Sequence, residues 1–150
     1  MYTVAVSSGT AALGNGNQGL RIDNSTGNQV GYGDAESGNV ISGNADVAIR
    51  LTNTTDTLVS WNTLGLDAAG TTVVNNAGGG VHVFGGTKNW ILGNRIASTG
   101  AGLAIDLDAD GTDPPDGVTP NDPLDADTGP NDLQNFPVLT SAVAGAGTTA

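Results

Sequence analysis

The feature that most constrains this chain is that it writes one stretch twice. Residues 9–31, GTAALGNGNQGLRIDNSTGNQVG, align without a gap to residues 70–92, GTTVVNNAGGGVHVFGGTKNWIL, at a constant offset of 61. Gly9, Thr10, Asn15, Gly19, Thr26 and Asn28 recur as Gly70, Thr71, Asn76, Gly80, Thr87 and Asn89, while Leu13, Leu20, Ile22 and Val30 become Val74, Val81, Val83 and Ile91. Fixed glycine and asparagine around interchangeable aliphatics mark a repeated backbone path, not a repeated active site. Each copy is a short strand between turns, and it buries its apolar row only if another copy stacks on it.

Period-2 alternation recurs along the chain. Leu20-Arg21-Ile22, Ile49-Arg50-Leu51, Val81-His82-Val83 and Leu103-Ala104-Ile105 each place aliphatics on one side and the residue between them on the other. Glycine precedes three of these strands, as Gly19, Gly80 and Gly102, which predicts equivalent positions for them. Second strands follow at residues 28–31, 39–41, 58–61 and 90–92, several closing on Asn, which tolerates the left-handed turn conformation. Asparagines stacked at such a turn form a ladder. Strand, Asn turn, strand and loop, recurring roughly every 22 to 34 residues, is the pattern of a parallel β-helix. The expectation is all-β: a short solenoid of about four coils over residues 1–107, then an acidic, irregular C-terminal segment. A β-sandwich is the other fold weighed, but its hairpins give no reason for an ungapped 61-residue repeat.

Charge divides the chain the same way. The net charge is −11, and nine of the fifteen acids lie after residue 105. The only cations besides His82 are Arg21, Arg50, Lys88 and Arg95. Nucleic acid is excluded as a partner, because phosphate neutralisation needs clustered cations. No apolar run is long enough for a membrane span, and the start MYTVAVSS lacks the regions of a signal peptide. Zero Cys removes disulfides and thiolate metal sites.

The segments GTAALGNG, SGNVISGN, NTLGLDAAGT and NDPLDADTGPNDLQNFPVLTSA resemble bacterial secreted or surface proteins with right-handed parallel β-helix repeats, of the pectate-lyase-like superfamily. The resemblance implies the right hand, a secreted or cell-surface bacterial location, and a segment cut from a larger protein. It divides the chain into coils (residues 1–107), an acidic Asp/Pro/Gly-rich segment packing on them (108–139) and an Ala/Gly/Thr linker tail (140–150). Residues 1–10 align with 62–71 and begin inside a coil, which predicts an uncovered N-terminal end and a homo-oligomer formed through it.

Three constellations carry chemistry. Asp106, Asp108, Asp110 and Asp113 alternate around Gly111 in the manner of a calcium loop, although the distal Glu of an EF-hand is missing. Asp125, Asp127 and Asn131 supply a second oxygen-rich group, so calcium is the expected cofactor. The third is an outward row on the first strands, read as Arg21, Arg50, His82 and Ala104, beside a row Asp23, Thr52, Phe84 and Asp106. Such a face suits an acidic sugar chain, with Arg21, Arg50, His82, Phe84 and Asp23 as ligand-binding residues. His82 and Arg50 are also the only candidates for catalysis. Trp61 and Trp90 are read as core or edge packing rather than sugar platforms, although an exposed indole would suit stacking on carbohydrate. The expected function is a non-catalytic module that presents a rigid face to glycan or protein; a polysaccharide lyase or glycoside hydrolase is the alternative.

Overall fold

The computed structural model describes residues 6–7, 11–12, 14–34, 37–97, 102–111 and 115–141. Asp113, most of residues 1–10 and most of the tail lie outside the described residues. Among those described, the chain is all-β, with one short 3₁₀ turn at Pro130–Leu133. Three parallel sheets are built by taking one strand from each successive repeat. The first holds β3 (Leu20–Asp23), β6 (Ile49–Thr52), β9 (Val81–Val83) and β12 (Ile105–Leu107), in that order across the sheet. The second holds β4 (Gln29–Val30), β7 (Leu58–Ser60) and β10 (Trp90–Leu92). The third holds β5 (Val40–Ile41), β8 (Thr63–Leu64) and β11 (Arg95–Ile96). This arrangement is compatible with a parallel β-helix, and we call each set of three consecutive strands a tier.

Register explains the repeat. Leu20 pairs with Ile49 and Ile49 with Val81, so the offset of 61 spans two tiers. Inward side chains stack into one core of Val30, Ile41, Ile49, Leu51, Val59, Leu64, Val81 and Val83, all buried. Gly80 is held to glycine because a Cβ there would stand 2.2 Å from the Ala104 carbonyl oxygen.

The asparagines that survive the offset are rungs between tiers. Asn44 donates its backbone N–H and its side-chain amide to Asn76 Oδ1, at 3.1 and 2.7 Å, and the Asn15 N–H reaches Asn44 Oδ1 in turn. A second ladder runs through Asn39, Asn62 and Asn94; the Asn62 amide also donates to the Val30 carbonyl. A third joins Thr57 to Asn89 and Asn89 to Asn131. Each amide satisfies corner backbone groups that would otherwise be buried unpaired. The sequence pointed to one ladder; three form, at three corners.

The pair β1 (Val6–Ser7) and β2 (Ala11–Ala12) is antiparallel. By the same offset it corresponds, within one residue, to the antiparallel bridge between Leu66 and Val73. These residues thus repeat a hairpin in the connecting loop rather than a coil strand. At the other end, the described part of the acidic segment leaves a cavity of about 390 Å³ against the last tier, walled by Ile91, Ile105, Leu107, Val118, Leu133 and Phe136.

Candidate functional site: the buried row and the acidic clusters

The first sheet aligns Arg21 with Arg50, Arg50 with His82, and His82 with Asp106. This corrects the expected row, which ended in Ala104 and put Asp106 beside Phe84. A slip of two residues keeps every side chain on its own face, so alternation alone does not separate the two registers. The stacking of Ile105 on Val81 and Leu107 on Val83 decides it. By the same shift, Ala104 rather than Gly102 is the counterpart of Gly80.

The exposed face expected for this row is also corrected. Arg50 is 4% exposed, His82 0% and Asp106 4%. His82 packs edge-on against Phe84, with centroids 5.7 Å apart, and the Arg50 guanidinium carbon lies 4.4 Å from the centre of the same ring. His82 Nε2 is 3.1 Å from Asp108 Oδ2. Asp108 Oδ1 accepts the Gly111 N–H, and Asp106 Oδ2 accepts the Gly117 N–H at 3.2 Å. The chain that follows β12 therefore returns onto the face that the sequence left open. Only the outermost pair stays wet: Arg21 Nε lies 2.7 Å from Asp23 Oδ2, and this contact holds the Asp23 carboxyl below its usual range.

Asp106 is in the least favourable position. Its Oδ1 is buried without a hydrogen-bond partner among the described residues. Burial pushes its carboxyl up, and the charges of Asp116 and Asp108 add to this against the Gly117 hydrogen bond and His82.

Two groups of carboxylates converge beyond the row. Asp108, Asp110 and Asp116 each bring an oxygen within 4.8 Å of the others, and so do Asp122, Asp125 and Asp127. In the second group Asp122 Oδ2 accepts the Ala126 N–H and Asp125 Oδ1 the Asn135 N–H. Asp122 Oδ1 and Asp127 Oδ1 are shielded from solvent and have no hydrogen-bond partner among the described residues. Burial raises the Asp127 carboxyl, and Asp122 and Asp125 push it further. Asp116 and Asp122 escaped the sequence reading, because alternation around Gly111 and Gly129 does not reveal which distant acids fold back. Asn131 joins neither group. Its Oδ1 accepts the Asn89 N–H and its amide donates to the Asn89 carbonyl, so it serves as a rung.

The two tryptophans are not core residues. Trp61 is 38% exposed and Trp90 63%, both associated with the second sheet, and Tyr32 is 68% exposed at the position equivalent to Trp61 one tier away. The chain matches no family model, no curated protein and no solved structure.

Proposed function

We propose that this chain is a non-catalytic module of a secreted or cell-surface bacterial protein, a right-handed parallel β-helix ordered by calcium, that presents a rigid face to glycan or protein. The observation that carries the non-catalytic reading is the state of His82. It has no solvent contact and spends Nε2 on Asp108. A general base has to reach the proton it removes. In the reading advanced here, Arg50, His82, Asp106 and Asp108 fasten the acidic segment to the first sheet. A right-handed path is favoured because crossovers between parallel strands of one sheet take that hand almost without exception. The lyase or hydrolase alternative would need the same side chains in contact with a sugar chain.

Calcium is favoured by the donors. Both acidic groups offer only carboxylate oxygen, and two of those oxygens in the second group lack any partner. Hard, charged oxygen ligands suit calcium, whereas zinc favours the Cys and exposed His that this chain lacks. Asp122, Asp125 and Asp127 would hold the ion in one group and Asp108, Asp110 and Asp116 in the other. A bound cation would supply the counter-charge that the segment's own residues do not.

Incubation with polygalacturonate, alginate and neutral polysaccharides tests the catalytic half of this reading. No unsaturated product absorbing in the ultraviolet and no reducing ends should appear. Turnover that disappears in His82→Ala, with the fold intact by circular dichroism, would replace the reading with the enzyme.

A further inference from the structure

We infer that the outer face of the second sheet is a stacking platform for a neutral carbohydrate chain, with Trp90, Trp61 and Tyr32 as its contacts. This rests on the binding-module reading above and names the face and the ligand class. The platform begins with Gly93. A Cβ there would meet three carbons of the Trp61 indole at 3.1 to 3.3 Å, so the missing side chain lets that ring lie across the next tier. Trp90 stands three residues earlier on the same tier. Gly93 follows β10 at a left-handed corner, so the position against which the Trp61 ring packs lies no more than about 10 Å from Trp90, the reach of three extended residues. Leu92, 45% exposed, lies between them. Tyr32 extends the aromatic surface toward the first tier.

Charge and area select the occupant. None of the chain's fifteen acids, four Lys or Arg, or its one His falls within residues 28–32, 57–61 or 89–93, which make up this sheet and its flanking positions. The nearest charges in sequence, Asp56 and the exposed Lys88, are opposite in sign and stand at equivalent positions of neighbouring tiers, so the strands offer no clustered charge to a polyanion or to a cation. Single-stranded nucleic acid also stacks on aromatics, but it needs cations that this face does not have. A second copy of the chain is excluded by size. Three strands about 4.8 Å apart, four residues long, present about 200 Å², against the roughly 800 Å² per partner of a stable protein interface. What remains is a ligand that is narrow, uncharged and partly apolar on a flat side. The C–H faces of pyranose rings have that character, and indole and phenol rings are large, rigid surfaces to receive them.

Intrinsic tryptophan fluorescence and calorimetry with cello-, xylo-, manno- and malto-hexaose test this directly. At least one of these neutral chains should bind and shift the emission. Trp90→Ala should weaken that binding by about tenfold or more, with thermal stability unchanged because Trp90 is mostly exposed. Tyr32→Ala should weaken it less. Binding that survives Trp90→Ala and the Trp61→Ala, Trp90→Ala double variant would keep the module and overturn the platform. A preference for polygalacturonate over every neutral chain, or an emission shift that follows protein concentration through dimerisation, would also overturn it. Silence toward all neutral and acidic glycans would sink both the platform and the glycan-binding reading.

Discussion

The tiers and the acidic segment handle buried polarity in opposite ways. In the tiers each buried Asn finds its partner in a neighbouring repeat, so the corner amides are satisfied by the same translation that stacks the aliphatics. Asn62, for instance, accepts from Asn39, donates to Asn94 and donates to the Val30 carbonyl. In the acidic segment there is no translation to supply partners. Its carboxylates meet one another, and oxygens of Asp122 and Asp127 are shielded without a partner among the described residues; in the tiers that state falls on side chains off the ladders, such as Thr52 Oγ1, Ser60 Oγ, His82 Nδ1 and Asp106 Oδ1. A cavity of about 390 Å³ lies where the segment meets the last tier. Periodicity therefore satisfies the corner amides from the chain alone, whereas the clustered carboxylates of the segment call for a counter-charge from outside.

The contrast breaks first at a rung. Asn62→Ala should leave the Val30 carbonyl and the Asn39 N–H without partners in the interior. At about 1–3 kcal/mol for each such group, the loss should be about 3 kcal/mol or more in denaturant unfolding. Asn131→Ala removes a rung at the half-buried end and should lose about half as much. Equal losses at the two sites would mean that the segment is as integral as the tiers.

Calcium should come next. At a concentration 100 times its dissociation constant, an ion that binds only the folded state adds about 2.7 kcal/mol. Melting temperature should rise with calcium and fall with a chelator, and the double variant Asp125→Asn, Asp127→Asn should lose most of that response. Asn62→Ala should melt lower overall yet keep it. A calcium response that is unchanged in the Asp125, Asp127 variant would move the site to the other acidic group or off the segment.

The smallest expected effect separates two aspartates by sign. Asp67, in a loop hairpin of the second tier, accepts the Thr71 N–H at 2.8 Å, and hydrogen bonds from the Thr71 and Thr72 backbone and side chains lower its pKa. A lowered carboxyl contributes stability above its unfolded pKa, and that contribution disappears as pH falls through the folded value, below about pH 4. Asp106 has a raised carboxyl. It is least unfavourable when protonated, and its cost grows as pH rises from the unfolded value through the folded one. At pH 7 without calcium, Asp67→Asn should therefore destabilise and Asp106→Asn should stabilise. Titration of the two carboxyl carbons by NMR checks the directions. A depressed Asp106 would show that the segment already carries its counter-charge.

The parts legible in the sequence are those that repeat. The offset of 61 encoded two tiers because Asn15, Asn28 and Gly19 must recur wherever the same rung or close approach recurs. The middle tier was harder to see, since Thr57 replaces Asn at one rung and Ala48 replaces glycine. Strands β8 and β11, two residues each, carry too little alternation to read at all. The candidate site was legible only as composition. Its burial depends on Asp108, Gly111 and Gly117 folding back onto it, which no local pattern reports. The register of β12 turned on a two-residue slip that alternation cannot detect. For Trp61 and Trp90 the sequence leaves core and edge packing open, because aromatic residues beside aliphatics resemble a core, and only the strand's facing shows that Ile91 points in while Trp90 points out.

The way Asn131 is held has a consequence for what the chain can absorb. It completes a ladder begun by Thr57 and Asn89, yet it reaches that place only after a long detour from Leu107. The rung asks for an amide at the right point in space and is indifferent to the length of backbone that delivers it. Because closing a flexible loop costs only about 0.6 kcal/mol more for each doubling of its length, the exposed point between the two acidic groups, at Pro120, is open to cargo. A foreign peptide or a whole folded domain whose termini lie close together could be spliced into it, carried on a rigid shaft whose rungs would still close behind it.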